Sequence, residues 1–171
     1  MKSDYIERAT RFIYSFIPYL RRYSSIYTAV DIYNEERHRA VKYCCGCVRN
    51  VFITSDYAIK MDNGNFNNYY IGTCAKECAM FEVAKKAGFD YLFAEITHVN
   101  VYGVDFYIMP RVTPANVCDG YMENFDLNDY LNEEERDFLE EHSIWDDMHC
   151  GNYGLDKFGE IKILDYGCCI L

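Results

Sequence analysis

Apolar residues in the first part of the chain recur every three or four positions. Tyr5, Ile6, Ala9, Phe12, Ile13, Phe16 and Ile17 fall on one helical face, so the spacing predicts a helix over 4–17. Ser3 or Asp4 is placed to cap its start, and Pro18 to interrupt it. The next segment, YLRRYSSIYTAVDIYNEERH, also reads as helical. From about residue 40 the pattern changes to short strand-type runs, AVKY, VRNVFIT and YAIKM, with CCGC and TSD as the breaks between them. Three closely spaced strands with tight turns predict an antiparallel meander. A polar loop, NGNFNN, precedes helical spacing over 72–87, and Gly88 is placed to end that helix. Two further strands are predicted in YLFAEITHV and VDFYIMPRV, joined by a turn at 100–103. An acidic helical stretch, DLNDYLNEEERDFLEEH, a polar loop, a turn at 157–160 and the strand IKILDY complete the order.

Composition narrows what such a chain can be. With 171 residues it is long enough for one domain with a full core and short for two. Half the residues are apolar and 17% are aromatic, which excludes a disordered chain. A formal charge of −10 leaves no broad basic face for a phosphate backbone, so no nucleic-acid partner is expected. No apolar run approaches the roughly 20 residues needed to span a bilayer, so no membrane partner is expected either. The first residues lack the apolar core and cleavage site of a signal peptide. The reading is therefore a cytoplasmic protein whose nine cysteines are reduced thiols. Cys45 and Cys47, with Cys44 or His38, lack a second CxxC pair, and a zinc site is not expected.

The candidate chemistry lies in residues spread along this order: Lys60 in the third strand, Glu77 on the helix, the loop D-M-H-C-G-N at 147–152, and D-Y-G at 165–167. Over roughly residues 40–171 the arrangement resembles the protein-kinase-like superfamily, and the loop is most similar to the aminoglycoside-phosphotransferase and small-molecule-kinase branch. Read singly, Asp147 and Asn152 would cap turns, DYG would end a strand, and Lys60 would face solvent. Their order along the chain is what carries the resemblance.

Phosphoryl transfer from ATP needs cations to balance the phosphates, oxygen ligands to hold those cations, and a group to receive the acceptor's proton. Asp147, Asn152 and Asp165 offer oxygen ligands that suit Mg²⁺. The resemblance implies Asp147 as catalytic base, Asn152 and Asp165 as metal ligands, and Tyr166 in place of the Phe of Asp-Phe-Gly. YAIKM resembles the third-strand Val-Ala-Ile-Lys motif, which would put Lys60 on the α and β phosphates. Glu77 shares helical spacing with Cys74, Cys78, Phe81 and Ala84, whereas Glu82 falls nearer Lys85 and Lys86. Glu77 is therefore the expected ion-pair partner of Lys60, with Glu82 second. Gly46, Arg49 and Asn50 stand in the expected phosphate loop, and residues 109–112, with Met109 and Arg111, read as a hinge whose backbone would face adenine.

Three features depart from the family pattern. The phosphate loop has one glycine where protein kinases have three, and Trp145 stands where His is usual two residues before Asp147. His149 matches the His of the phosphotransferase loop. Only four residues follow Gly167, where the large lobe would normally continue. Asp126 and Asp129 read as caps or solvent charges.

The expected fold is α+β and protein-kinase-like: an antiparallel five-stranded N-lobe with one αC-type helix, a minimal C-lobe and extra N-terminal helices. It is read as one kinase-like domain, with 1–38 as the helical extension, 39–110 as the N-lobe and 111–171 as the truncated C-lobe. The expected function is an ATP- and Mg²⁺-dependent phosphotransferase with an unknown acceptor. The alternative is a nucleotide-binding pseudokinase or a protein-interaction scaffold without turnover. Self-association or a protein partner is expected on the large-lobe surface that the truncation would leave exposed.

Overall fold

A computed structural model describes residues 2–46, 49–63, 73–115, 127–167 and 169. Several expectations lie outside these residues: most of the NGNFNN loop, Gly72 at the start of the third helix, Asp126, and the cysteines Cys47, Cys118 and Cys168. The architecture is α+β, with a five-stranded antiparallel sheet and four α-helices among the described residues. The chain divides into two compact units, residues 1–71 with 97–111, and residues 72–96 with 112–171.

The first unit is a sheet covered on one face by two helices. Helix α1 runs Lys2–Arg22, α2 Ile26–Arg37, and strands β1 (Lys42–Cys45), β2 (Arg49–Ile53), β3 (Tyr57–Asp62), β4 (Thr97–Val101) and β5 (Val104–Pro110) form a sheet in the order β1-β2-β3-β5-β4. The periodic positions of α1 form the core that the spacing predicts. Ala9, Phe12, Ile13, Phe16 and Ile17 are buried with Ala29, Val30 and Tyr33 of α2 and with Phe52, Ile59, Phe106 and Ile108 of the sheet. Rings fix much of this contact: Phe16 meets Phe52 edge-on at 5.1 Å and Tyr33 at 5.2 Å.

Pro18 does not interrupt α1, which continues to Arg22, and Ser3 and Asp4 lie inside its first turn rather than before it. Proline removes one helical donor, whose partner would be the carbonyl of Tyr14. Tyr14 and Pro18 are both exposed, so water can serve that carbonyl and the helix survives. Ser25 caps α2, and His38 ends it in the left-handed region at φ 50°.

Cys44 and Cys45, expected in a break, extend β1 instead. Cys44 pairs with Val51 and Cys45 with Asn50, and the Gly46 amide donates to the Arg49 carbonyl at 2.9 Å to close the hairpin. Between β4 and β5, Tyr102 and Gly103 both have positive φ, the two-residue turn whose twist matches that of the strands.

The second unit holds α3 (Thr73–Ala87), β6 (Thr113–Pro114), α4 (Glu133–Glu141), β7 (Tyr153–Leu155) and β8 (Ile161–Ile163), with β6, β7 and β8 in one small sheet. Gly88, at φ 86°, follows the last turn of α3, where the Phe89 amide donates to the Ala84 carbonyl at 2.8 Å. The predicted strand YLFAEITHV is a strand only from Thr97. Residues Asp90–Leu92 form a single 3₁₀ turn, and Phe93 makes one parallel bridge to Ile163. Leu92, Phe93, Ala94 and Ile96 are buried in succession, which period-two alternation does not allow, so this apolar run fills a core instead of extending a ladder. Helix α4 begins at a capping box between Asn132 and Glu135. No helix among the described residues is long and apolar enough to cross a membrane.

Candidate active site

In the first unit the sheet register decides which candidates share a face. Residues directly opposite on antiparallel strands point to the same side. Phe52 opposes Ile59 and Ile59 opposes Ile108, and these face the core under α1 and α2. Val51, Lys60 and Tyr107 form the next row and face the other side, as do Arg49 with Asp62 and Ala58 with Met109. Lys60, Arg49 and Met109 therefore lie on one face, opposite the two helices. Lys60 is 6% exposed and Arg49 5%, so two cationic side chains are held in buried positions there, where the field of each is less screened than at a surface.

Asn50 is on the opposite face. It opposes Met61, and its Oδ1 accepts from the Tyr43 hydroxyl at 2.5 Å. Its side chain thus joins the α1/α2 side, and only its backbone adjoins the β1–β2 hairpin. Gly46 lies at the base of that hairpin. Arg111 follows β5, and its amide donates to the Asp56 carbonyl at 2.9 Å. The chain passes between the units at three places, of which one, between Arg111 and Val112, falls within the segment read as a hinge.

In the second unit Asn152 ties three pieces of chain together. Its Nδ2 donates to the Asp147 carbonyl at 2.8 Å and to Asp147 Oδ2 at 3.3 Å. Its amide donates to the His149 carbonyl at 2.7 Å, and its own carbonyl accepts from the Leu164 amide at 2.7 Å. Leu164 immediately precedes Asp165, so the 147–152 loop is fastened to the end of β8 next to that carboxylate. With Nδ2 turned to Asp147, Oδ1 is the atom of Asn152 that presents a ligand oxygen. Asn152 is buried while Asp147 is exposed, an anchored amide beside a carboxylate that solvent or a substrate can reach. The Gly151 amide donates to His149 Nδ1 at 3.1 Å, so the ring shapes the loop from within and its Nδ1 acts as an acceptor.

The DYG segment is fixed from both ends. Glu77 of α3 is fully buried, and its Oε1 accepts from the Tyr166 amide at 3.3 Å. The Tyr166 hydroxyl donates to the Ala94 carbonyl at 2.9 Å, and its ring meets Phe93 edge-on at 4.9 Å. Burial, and then the negative charge of Glu77, push the Tyr166 phenol well above its usual pKa. Glu82 is exposed and lies 4.0 Å from Lys85. The role of Tyr166 as an anchor has no sequence motif of its own, since its partner Ala94 lies 72 positions away.

Asn152 Oδ1 and the Asp165 carboxylate are oxygen donors of the kind hard divalent cations prefer. No three His, Cys, Asp or Glu side chains among the described residues group as a metal site, so an ion held by Asn152 and Asp165 would complete its shell with water and the phosphates it accompanies. His38 stands at the end of α2, away from any cysteine cluster of metal-binding type among those residues.

No family model matches the chain, and no curated protein matches it. Among solved structures it is similar to the bifunctional kinase-methyltransferase WbdD, with 18% identity and a TM-score of 0.45 over 72% of this chain and 30% of that one. A co-crystal structure of WbdD with the kinase inhibitor LY294002 matches with 15% identity and a TM-score of 0.40, over 77% of this chain and 33% of that one. The chain spans about a third of the length of the solved structures it matches.

Proposed function

We propose that this chain acts as an ATP- and magnesium-dependent phosphotransferase of the protein-kinase-like kind on a hydroxyl acceptor. The observation that carries the reading is the Asn152 junction, which holds the exposed Asp147 carboxylate, an amide oxygen and the chain entering Asp165 in one hydrogen-bonded unit. Residues 39–110 would form the nucleotide lobe, with Lys60 and Arg49 offering positive charge to phosphates, Gly46 allowing the hairpin backbone to approach them, and the backbone at Met109 and Arg111 bordering the base. Asn50 would contribute through its backbone, since its side chain is committed to Tyr43. Asp147 would accept the proton of the attacking hydroxyl as its oxygen bonds to the γ-phosphorus and the bond to the ADP oxygen breaks. Asn152 and Asp165 would hold Mg²⁺, which would supply charge balance for the phosphates. Glu77 would position the DYG backbone and, through it, Asp165.

The reading is tested by following release of ADP and transfer of the γ-phosphoryl group to a panel of small hydroxyl acceptors. Asp147→Asn should leave nucleotide affinity within about twofold and reduce turnover by about 10²–10⁴, the range for loss of a general base. Nucleotide binding with no turnover on any acceptor, in the native chain and the variant alike, would replace the enzyme with the pseudokinase alternative.

A further inference from the structure

A cleft of about 640 Å³ opens on the first unit between α1, the segment after α2 and the β2–β3 turn. That size falls within the usual range for small-molecule sites, about 300–1,000 Å³. Its floor is apolar and aromatic, built from Phe12, Tyr33, Val41 and Tyr57, and its rim carries the guanidiniums of Arg8, Arg11 and Arg39 against the single carboxylate of Asp56. Tyr57 belongs to the sheet face covered by α1 and α2, so the cleft is on the opposite side of the sheet from Lys60 and Arg49.

Three guanidiniums and one carboxylate line the cleft itself, a local concentration of arginine in a chain of net charge −10. Arg8 bridges Asp4 and Asp56, and Arg11 pairs with Glu7, all through exposed partners. Exposed pairs of this kind contribute little and exchange readily for a better anion. Among the described residues no carboxylate pairs with Arg39, which lines the cleft. The aromatic floor suits a ring, Arg39 adds a positive charge that no described carboxylate pairs with, and guanidinium forks suit the oxygens of a phosphate dianion.

We propose that this cleft binds an aryl phosphate, ring against Phe12, Tyr33 and Tyr57 and phosphate between Arg11 and Arg39, independently of the candidate active site. The test is calorimetric titration of the full chain with phenyl phosphate, alongside phenol and inorganic phosphate. Phenyl phosphate should bind saturably and at least about tenfold more tightly than either fragment, a difference of ~1.4 kcal/mol. The exposed substitutions Arg39→Glu and Arg11→Glu should each weaken it by about tenfold or more, while Lys60→Ala leaves it within twofold. The proposal is overturned if no saturable binding is seen up to ~10 mM, a weaker limit than a millimolar site would give. It is equally overturned if Arg39→Glu changes nothing, or if Lys60→Ala abolishes binding, which would move the ligand to the other face of the sheet.

Discussion

Replacing Asn152 with Ala removes one amide from the centre of the 147–152 loop while leaving its backbone bonds to His149 and Leu164 available. The lost contacts are a 2.8 Å bond to the Asp147 carbonyl and a 3.3 Å bond to its carboxylate. A neutral hydrogen bond contributes about 1 kcal/mol net, and one to a charged group about 1.5–3 kcal/mol. The second is long and its acceptor is exposed, so it counts at or below the lower bound, and water can take over the vacated carboxylate. The expected cost is about 2 kcal/mol, which for a chain of this size lowers the midpoint of thermal unfolding by about 4–8 °C. Trp145 is the single tryptophan of the chain and sits two residues before Asp147, so urea unfolding followed by its fluorescence reports on this loop directly. Asn152→Asp keeps the side-chain size but sets an acceptor against a carbonyl and a carboxylate, and at pH 7 it should cost at least as much as Ala. A loss below about 0.5 kcal/mol in Asn152→Ala, or an Asp variant as stable as the native chain, would refute the view that this amide holds the loop, since even one such bond exceeds that.

Three further substitutions each probe a particular contact. Tyr166→Phe leaves the buried Ala94 carbonyl without its partner and should cost about 1–2 kcal/mol in urea unfolding. The same variant bears on alkaline stability: the folded phenol is raised, so its contribution is fully present below the unfolded pKa near 10 and is lost as pH rises beyond it. A pH series between about 10 and 11 should therefore show a shallower loss of stability in Tyr166→Phe than in the native chain, by up to ~1.4 kcal/mol per pH unit. Gly154→Ala would place a methyl 2.0 Å from the Thr113 carbonyl oxygen, backbone that cannot yield cheaply, and should destabilise the second unit by about 1–3 kcal/mol or more in the same assay. Asn132→Ala breaks the capping box of α4 and should cost about 1 kcal/mol, read as reduced helicity and an earlier urea midpoint.

Periodicity made much of this fold legible. The apolar stripe of α1 is the stripe that packs, and the spacing that groups Glu77 with Cys74, Phe81 and Ala84 puts it in the buried row of α3 while Glu82 lies outside. Alternation in YAIKM sets Ile59 and Lys60 on opposite faces, as the register has them. The same rule, applied one strand earlier, would have put Asn50 with Phe52 on the helix-covered side, but the motif reading gave it a phosphate role and overlooked its parity. Two misreadings came from local punctuation that tertiary context overrode: Pro18, whose lost donor falls on the exposed side, and Cys44–Cys45, which pair with β2 although they adjoin a glycine. The run 91–96 reads as strand, because a short, mostly apolar stretch suits a core turn as well as a strand. The anchoring of Tyr166 to Ala94 spans 72 positions of sequence and leaves no local trace.

The proposed phosphotransferase requires that Lys60 and Asp165 each contribute to binding Mg-ATP. This requirement is tested most directly by the thermal midpoint of the native chain, Lys60→Ala and Asp165→Asn, each with and without Mg-ATP. At nucleotide near 100 times its Kd the native chain should gain about 2.7 kcal/mol, a rise of about 5–10 °C, and both variants should lose that rise. A native chain whose midpoint does not move at millimolar Mg-ATP, or variants that shift as much as the native chain, would contradict it.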